Sequence, residues 1–143
     1  MSFLSWLKPV SKKDKEFSAR LSRVLGFKPK ELSFYRQSLT HKSSVEENEG
    51  TLASNERLEF LGDRVLGLII AEYLRSAYPQ EGEGEWAQRL AVLTSRKVCT
   101  QIASKYKTQA AMVRYDKHRT SVLSYNVRAK LPQAVISAVY LYG

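Results

Sequence analysis

The sequence predicts an all-α domain, and three observations carry that prediction. Apolar residues recur at helical spacing through most of the 143 residues, no stretch alternates apolar and polar long enough for a strand, and polar or glycine-containing stretches punctuate the helical segments. At this length the chain is one domain with a core large enough to sustain it. No apolar run approaches the ~20 residues a membrane span requires, so no membrane role is expected.

Phe17, Leu21, Val24 and Leu25 have the spacing of one helix, and Gly26 is suited to end it. A second segment spans Glu31 to His41, with Leu32, Tyr35 and Leu39 on one side. Residues 42–54 are polar and aperiodic, which reads as a loop, and Ser54 or Asn55 can cap the next helix. That helix, the longest, runs from Asn55 to about Ala77 and stops before Pro79, with Leu58, Leu61, Val65, Leu68 and Ile69 as its buried face. Gly62 and Gly67 each cost roughly 1 kcal/mol against alanine in a helix. They are explained if another helix or a partner backbone approaches closely there. Residues 80–84 form a turn, and Trp86, Leu90, Leu93, Val98 and Ile102 mark one further helix. Residues 114–128 interleave basic and aromatic side chains with weak periodicity, as an exposed loop would. That composition suits RNA contact and, equally, an ordinary surface loop. Leu131 to Tyr142 is an apolar closing helix, with Pro132 tolerated in its first turn.

The net charge of +9 is unevenly spread. Residues 1–30 hold eight basic and two acidic side chains (+6), residues 31–85 hold five and eleven (−6), and residues 86–143 hold ten and one (+9). An acidic middle between basic ends fits a polyanion gripped by the flanks, with a cation-binding or acid-paired site between them. Nucleic acid is the expected partner class. Phosphate contacts are expected from Lys8, Lys12 and Lys13 near the start and from Arg114, Lys117, His118, Arg119 and Arg128 in the basic stretch. The single cysteine, Cys99, rules out an intrachain disulfide and reads as a buried thiol between Val98 and Ile102. His41 reads as a capping or packing residue.

Glu56, Glu59 and Asp63 lie at i, i+3 and i+7 of the long helix and therefore share one face. At ~4 Å and an effective dielectric of ~20, each like-charge pair would cost about 4 kcal/mol without a cation between them. The stripe needs a partner, and the nature of that partner decides its chemistry.

The nonapeptide Asn55-Glu56-Arg57-Leu58-Glu59-Phe60-Leu61-Gly62-Asp63 closely resembles the signature of the ribonuclease III family, the double-stranded-RNA endonucleases. Leu39-Thr40-His41-Lys42-Ser43, Glu83-Gly84-Glu85-Trp86 with Leu93-Thr94-Ser95-Arg96, and Ala134 to Leu141 resemble family segments before and after it, so the resemblance covers roughly residues 17–143. It implies a ribonuclease III-type helical domain over residues 16–143, behind a basic arm over residues 1–15. It also implies Mg²⁺ held by four carboxylates, two of which match Glu59 and Asp63, with Glu56 as an accessory acid. The other two family acids fall at Lys130 and Gln133, and neither is a carboxylate. After Glu85 only Asp116 is acidic, so no shift of register restores the pair. The glycine-rich basic stretch that precedes this pair in the family is absent from residues 117–129. An ammonium at Lys130 near Glu59 and Asp63 could instead neutralise the acids as an ion-pair network without metal.

These departures lead to the expectation of a catalytically inactive ribonuclease III-like scaffold with no cofactor or metal. Its expected partners are ribosomal RNA and neighbouring proteins of a mitochondrial large ribosomal subunit, together with a second ribonuclease III-like domain in a homodimer or heterodimer. No separate double-stranded-RNA-binding domain is expected after the last core helix. The alternative is a small Mg²⁺-dependent ribonuclease III-type endonuclease in ribosomal RNA processing; a third reading is a regulatory partner of an active relative. Residues 1–13, with three lysines, three serines and no acid, partly resemble a mitochondrial presequence. The mitochondrial matrix is the expected location and the bacterial cytoplasm the alternative.

Overall fold

Residues 10–45, 50–106 and 125–143 are described by a computed structural model, and among them the chain is all-α. Helix α1 spans Lys12–Leu25. The Ser11 hydroxyl accepts a hydrogen bond from the Asp14 N–H at its start, and Gly26 closes it at φ 78°, a left-handed conformation that glycine adopts without a Cβ clash. Helix α2, Leu32–Ser38, stops short of the expected His41. The reason is local: the Thr40 hydroxyl donates back to the Arg36 carbonyl at 2.6 Å, turning the chain out of the helix. Short 3₁₀ turns come next, at Lys42–Ser44 and Thr51–Ala53. His41 caps the first of them, its ring nitrogen accepting from the Ser43 N–H.

Helix α3, Glu56–Ala77, matches the expected boundaries. The Ser54 hydroxyl accepts from the Glu56 N–H at 3.4 Å, and the Asn55 N–H bonds the Thr40 carbonyl at 2.9 Å, which ties the start of α3 to the end of α2. The single helix expected from Trp86 to Ile102 is instead two, α4 (Glu83–Leu93) and α5 (Arg96–Lys105). The Thr94 hydroxyl donates to the Leu90 carbonyl at 2.8 Å, and Ser95 starts a new helix by accepting from the Val98 N–H at 3.3 Å. Helix α6 spans Tyr125–Tyr142, beginning before the expected Leu131. Pro132 therefore lies inside the helix, where it has no N–H for the Arg128 carbonyl.

Helix α6 is the centre of the fold, packing most extensively on α3 and then on α5 and α2. Phe17 and Leu21 of α1, Tyr35 of α2 with Leu39, and Leu131, Val135 and Ala138 of α6 form one buried cluster. The Phe34 and Tyr142 rings stack and hold the end of α6 against α2. Burial pushes the Tyr35 hydroxyl up from its ordinary pKa, because a phenolate there would be poorly solvated.

Two tight features set α3 against α6. A Cβ at Gly62 would stand 1.6 Å from the Gln133 carbonyl oxygen, so only glycine allows this crossing. One turn earlier, the Ser137 hydroxyl donates to the Leu58 carbonyl. At Gly67 nothing lies within 4 Å of the Cβ position, so the close approach expected there does not occur within the chain. Leu68 and Ile69, expected in the core, are 70% and 55% exposed, and Tyr73 and Val92 join them in an outward apolar face on α3 and α4.

Candidate functional site

The Gly62 crossing decides which side chains meet. With α6 pressed onto α3 at this point, the residues on either side of Gly62, Glu59 and Asp63, face Lys130 and Gln133 across the helix pair. Asn126, Ala129, Lys130 and Gln133 share one face of α6 at helical spacing, and the α4–α5 junction adds Arg96 and Cys99. Together they line an open cleft of about 460 Å³.

Every acid of the stripe has a basic partner. Lys130 Nζ lies 3.1 Å from Glu59 Oε2, Arg64 Nη1 lies 3.0 Å from Asp63 Oδ2, and Lys42 Nζ lies 3.0 Å from Glu56 Oε1. The Gln133 amide donates to Asp63 Oδ1 at 3.0 Å. Asp63 thus holds a guanidinium on one oxygen and an amide on the other. The repulsion that would cost several kcal/mol per bare pair is offset by neighbours rather than by burial. Each pair is partly solvated, with Lys130 at 45% and Glu59 at 21% side-chain exposure, so each contributes about 0–1 kcal/mol. These bonds are exchangeable.

Arg64 also lies over the Phe60 ring, 4.0 Å from its centre. Arg96 has a neutral partner in the cleft, donating to Asn126 Oδ1 at 3.4 Å. The neutral pairing makes Arg96 a phosphate-binding candidate that was absent from the expected set. Its only sequence signal is its place directly after the helix-capping Ser95. Cys99 is 1% exposed behind the cleft, and its thiol is pushed above the ordinary value, chiefly by burial and then by the charge of Asp63.

The expected basic residues do not gather in one place. Lys12 and Lys13 are exposed on the first turn of α1 and are not among the residues lining the cleft. Arg128 lies on α6 rather than in a loop; it is half-buried, with Nε enclosed and unpaired. Lys8, Arg114, Lys117, His118 and Arg119 lie outside the described residues.

The Mg²⁺ that the ribonuclease III resemblance implies can be tested against this donor set. Among the described residues no three His, Cys, Asp or Glu side chains converge as a metal site would need. Glu59 is held by an ammonium and Asp63 by a guanidinium and an amide N–H, all of them donors. As it stands, the cleft does not fit a divalent cation.

Known proteins share both the sequence pattern and the fold. The profile of the family described as Ribonuclease-III-like matches residues 31–143. "Ribonuclease 3" of Rhodopirellula baltica is 36% identical over 125 residues, which cover 87% of this chain and 46% of that protein. "Ribonuclease 3" of Pelagibacter ubique is 37% identical over 123 residues, covering 85% and 53%. The chain thus spans about half the length of the curated relatives it matches. The nuclease domain of ribonuclease III from Campylobacter jejuni, solved in a study of flexibility in its dimer-forming region, superposes with a TM-score of 0.76 at 27% identity, covering 87% of this chain and 85% of that one. These relatives overturn the expected ribosomal scaffold: they are bacterial proteins named for a nuclease, and the fold is that of a nuclease domain. The similarity to mitochondrial ribosomal proteins is not found among them, and mitochondrial location loses its support.

Proposed function

Because the chain belongs to the ribonuclease-III-like family, we propose that it is an RNA-processing endonuclease domain acting on double-stranded RNA in the bacterial cytoplasm. One observation carries this reading: the signature helix turns Glu59 and Asp63 toward an open cleft that Arg64, Arg96 and Lys130 also line. The carboxylates offer oxygens to the reacting centre, and the cations offer charge to the phosphates of a duplex. Asn126 and Gln133 add amides that can bond phosphate oxygens. Hydrolysis needs a carboxylate oxygen free to orient or deprotonate the attacking water. Glu59 Oε2 is held by Lys130 and Asp63 Oδ1 by Gln133, so the duplex must displace at least one of these bonds.

A second copy of the chain is the proposed partner. Leu68, Ile69, Tyr73 and Val92 form an exposed apolar face on α3 and α4, which supports homodimerisation through these helices.

The test is direct. Purified protein is incubated with an end-labelled long RNA duplex and Mg²⁺, and products are resolved on a denaturing gel beside a single-stranded control. Duplex-specific cleavage that is lost in Glu59→Gln and in Asp63→Asn is the expected result. Duplex binding with no cleavage at any Mg²⁺ concentration overturns the endonuclease reading, and failure to bind duplex RNA overturns the substrate class as well.

A further inference from the structure

The cleft that supports the proposed function is, in this arrangement, closed to the cation its acids would be expected to hold. We infer that Lys130 is the gate: it excludes a divalent cation from Glu59 and Asp63 in the RNA-free protein, and a phosphate of duplex RNA releases it. This rests on the double-stranded-RNA reading for its second half only. The first half stands on the geometry of the free protein.

Charge makes the exclusion. Three acids, Glu56, Glu59 and Asp63, face four cations, Lys42, Arg64, Arg96 and Lys130, in and beside the cleft. The acids are matched one to one at 3.0–3.1 Å, and Arg96 is in excess with only Asn126 as its partner. An approaching dication therefore meets a locally positive surface, where the bare stripe would have attracted it.

Of the groups that hold Glu59 and Asp63, Lys130 is the decisive obstacle. Gln133 can rotate its amide by half a turn and present its oxygen where it now donates an N–H, so it does not oppose a cation. Arg64 occupies only Oδ2 of Asp63, the neighbouring residue, and is itself 60% exposed with its guanidinium over the Phe60 ring. Lys130 comes from the facing helix and places its charge against Glu59, the least exposed acid of the stripe. No rotation makes an ammonium an acceptor.

The same group is easily drawn away. Lys130 is 45% exposed on a flexible four-carbon stem, and a half-solvated ion pair is readily exchanged for another. A duplex laid along the cleft brings phosphates that can take Lys130 and Arg96 together. Glu59 and Asp63 are then two free carboxylates beside a phosphate. That donor set suits Mg²⁺, which commonly takes one or two carboxylates, several waters and substrate phosphates. The order of binding is RNA first and cation second.

Mn²⁺ is the probe, followed by loss of the electron-paramagnetic-resonance signal of the free hydrated ion. A 2′-O-methyl RNA duplex serves as the uncleaved ligand, its own Mn²⁺ binding being measured separately, and circular dichroism checks the fold of each variant. Wild-type protein without RNA is expected to bind Mn²⁺ at least about tenfold more weakly than Lys130→Gln. With the duplex, wild type is expected to gain bound Mn²⁺ beyond that of the duplex alone, and a Glu59→Gln/Asp63→Asn double variant is not. Equal Mn²⁺ affinity of wild type and Lys130→Gln without RNA overturns the gate. Saturating duplex that binds yet adds no Mn²⁺ overturns its release by phosphate. Failure of the duplex to bind at all is a failure of the proposed function, and the RNA-free comparison then still decides whether Lys130 excludes the ion.

Discussion

Replacing Gly62 with alanine should destabilise the protein even though alanine is the better helix former. The added methyl would lie 1.6 Å from the Gln133 carbonyl oxygen, 2.4 Å from its carbon and 3.1 Å from its Cα. All three atoms belong to backbone, so no side chain can rotate out of the way. For the methyl to reach even 3.0 Å from the oxygen, α6 must retreat by about 1.4 Å. A backbone shift forced by one extra methyl in a packed interior typically costs about 1–3 kcal/mol. Strain on the Ser137–Leu58 hydrogen bond adds about 1 kcal/mol. Alanine returns about 1 kcal/mol of helix propensity, which leaves roughly 1–3 kcal/mol of destabilisation. Gly67→Ala is the matched control, since nothing lies within 4 Å of its Cβ position. It should stabilise the chain by up to about 1 kcal/mol. Urea unfolding of the three proteins, with unchanged m-values, reads both effects. If Gly62→Ala is as stable as wild type, or shifts in the same direction as Gly67→Ala, the α3–α6 crossing does not depend on the missing side chain. The Gln133–Asp63 bond at 3.0 Å should open with the shift, so loss of any cleavage activity should accompany loss of stability.

The remaining contacts set further expected outcomes. Asp14 is held below its ordinary carboxyl value of 3.8, first by the Ser11 hydroxyl and then by Arg36 of α2. Its contribution is therefore present above that value and lost as pH falls through the lower folded value. The difference in melting temperature between wild type and Asp14→Asn should be clear at neutral pH and shrink below pH 3.8; a difference that stays constant into strong acid argues against the pairing. The Cys99 thiol is raised above 9.0 by burial and by Asp63, so the stability it contributes is present below 9.0 and lost as pH rises through the higher folded value. Native protein should resist iodoacetamide at pH 8 relative to urea-unfolded protein, and comparable alkylation rates in the two states would contradict its burial. Leu68→Glu, at a position 70% exposed in the single chain, should abolish dimers in sedimentation equilibrium with little change in melting of the monomer. A wild-type protein that stays monomeric at about 100 µM, well above the Kd of a specific dimer, removes the proposed interface.

Helix boundaries were legible wherever local chemistry fixed them. Gly26 ended α1 in the left-handed conformation that a helix stop requires, and α3 began and ended within a residue of expectation. The break between α4 and α5 was also written locally, in Thr94 and Ser95, but two hydroxyls that compete with the helix are easily overlooked inside an apolar period. The fate of Leu68 and Ile69 was not legible. Helical spacing says which residues share a face, not whether that face meets the chain's own core or a second molecule. Arg128 was misplaced for a related reason, since weak periodicity near Pro132 read as loop and the tertiary contacts of α6 overrode it.

The sequence by itself determined the all-α class, the long acidic-striped helix and its resemblance to one nuclease family, because these depend on residue spacing along one segment. It also established that Lys130 and Gln133 stand where two further acids were expected, and that the stripe needed a cationic partner. Only the tertiary structure decided what that partner is. Glu59 and Lys130 are 71 positions apart, and no local rule brings them to 3.1 Å. That distance depends on Gly62, whose absent side chain lets the backbone of α6 lie against α3 and sets an ammonium, rather than a metal ion, among the carboxylates.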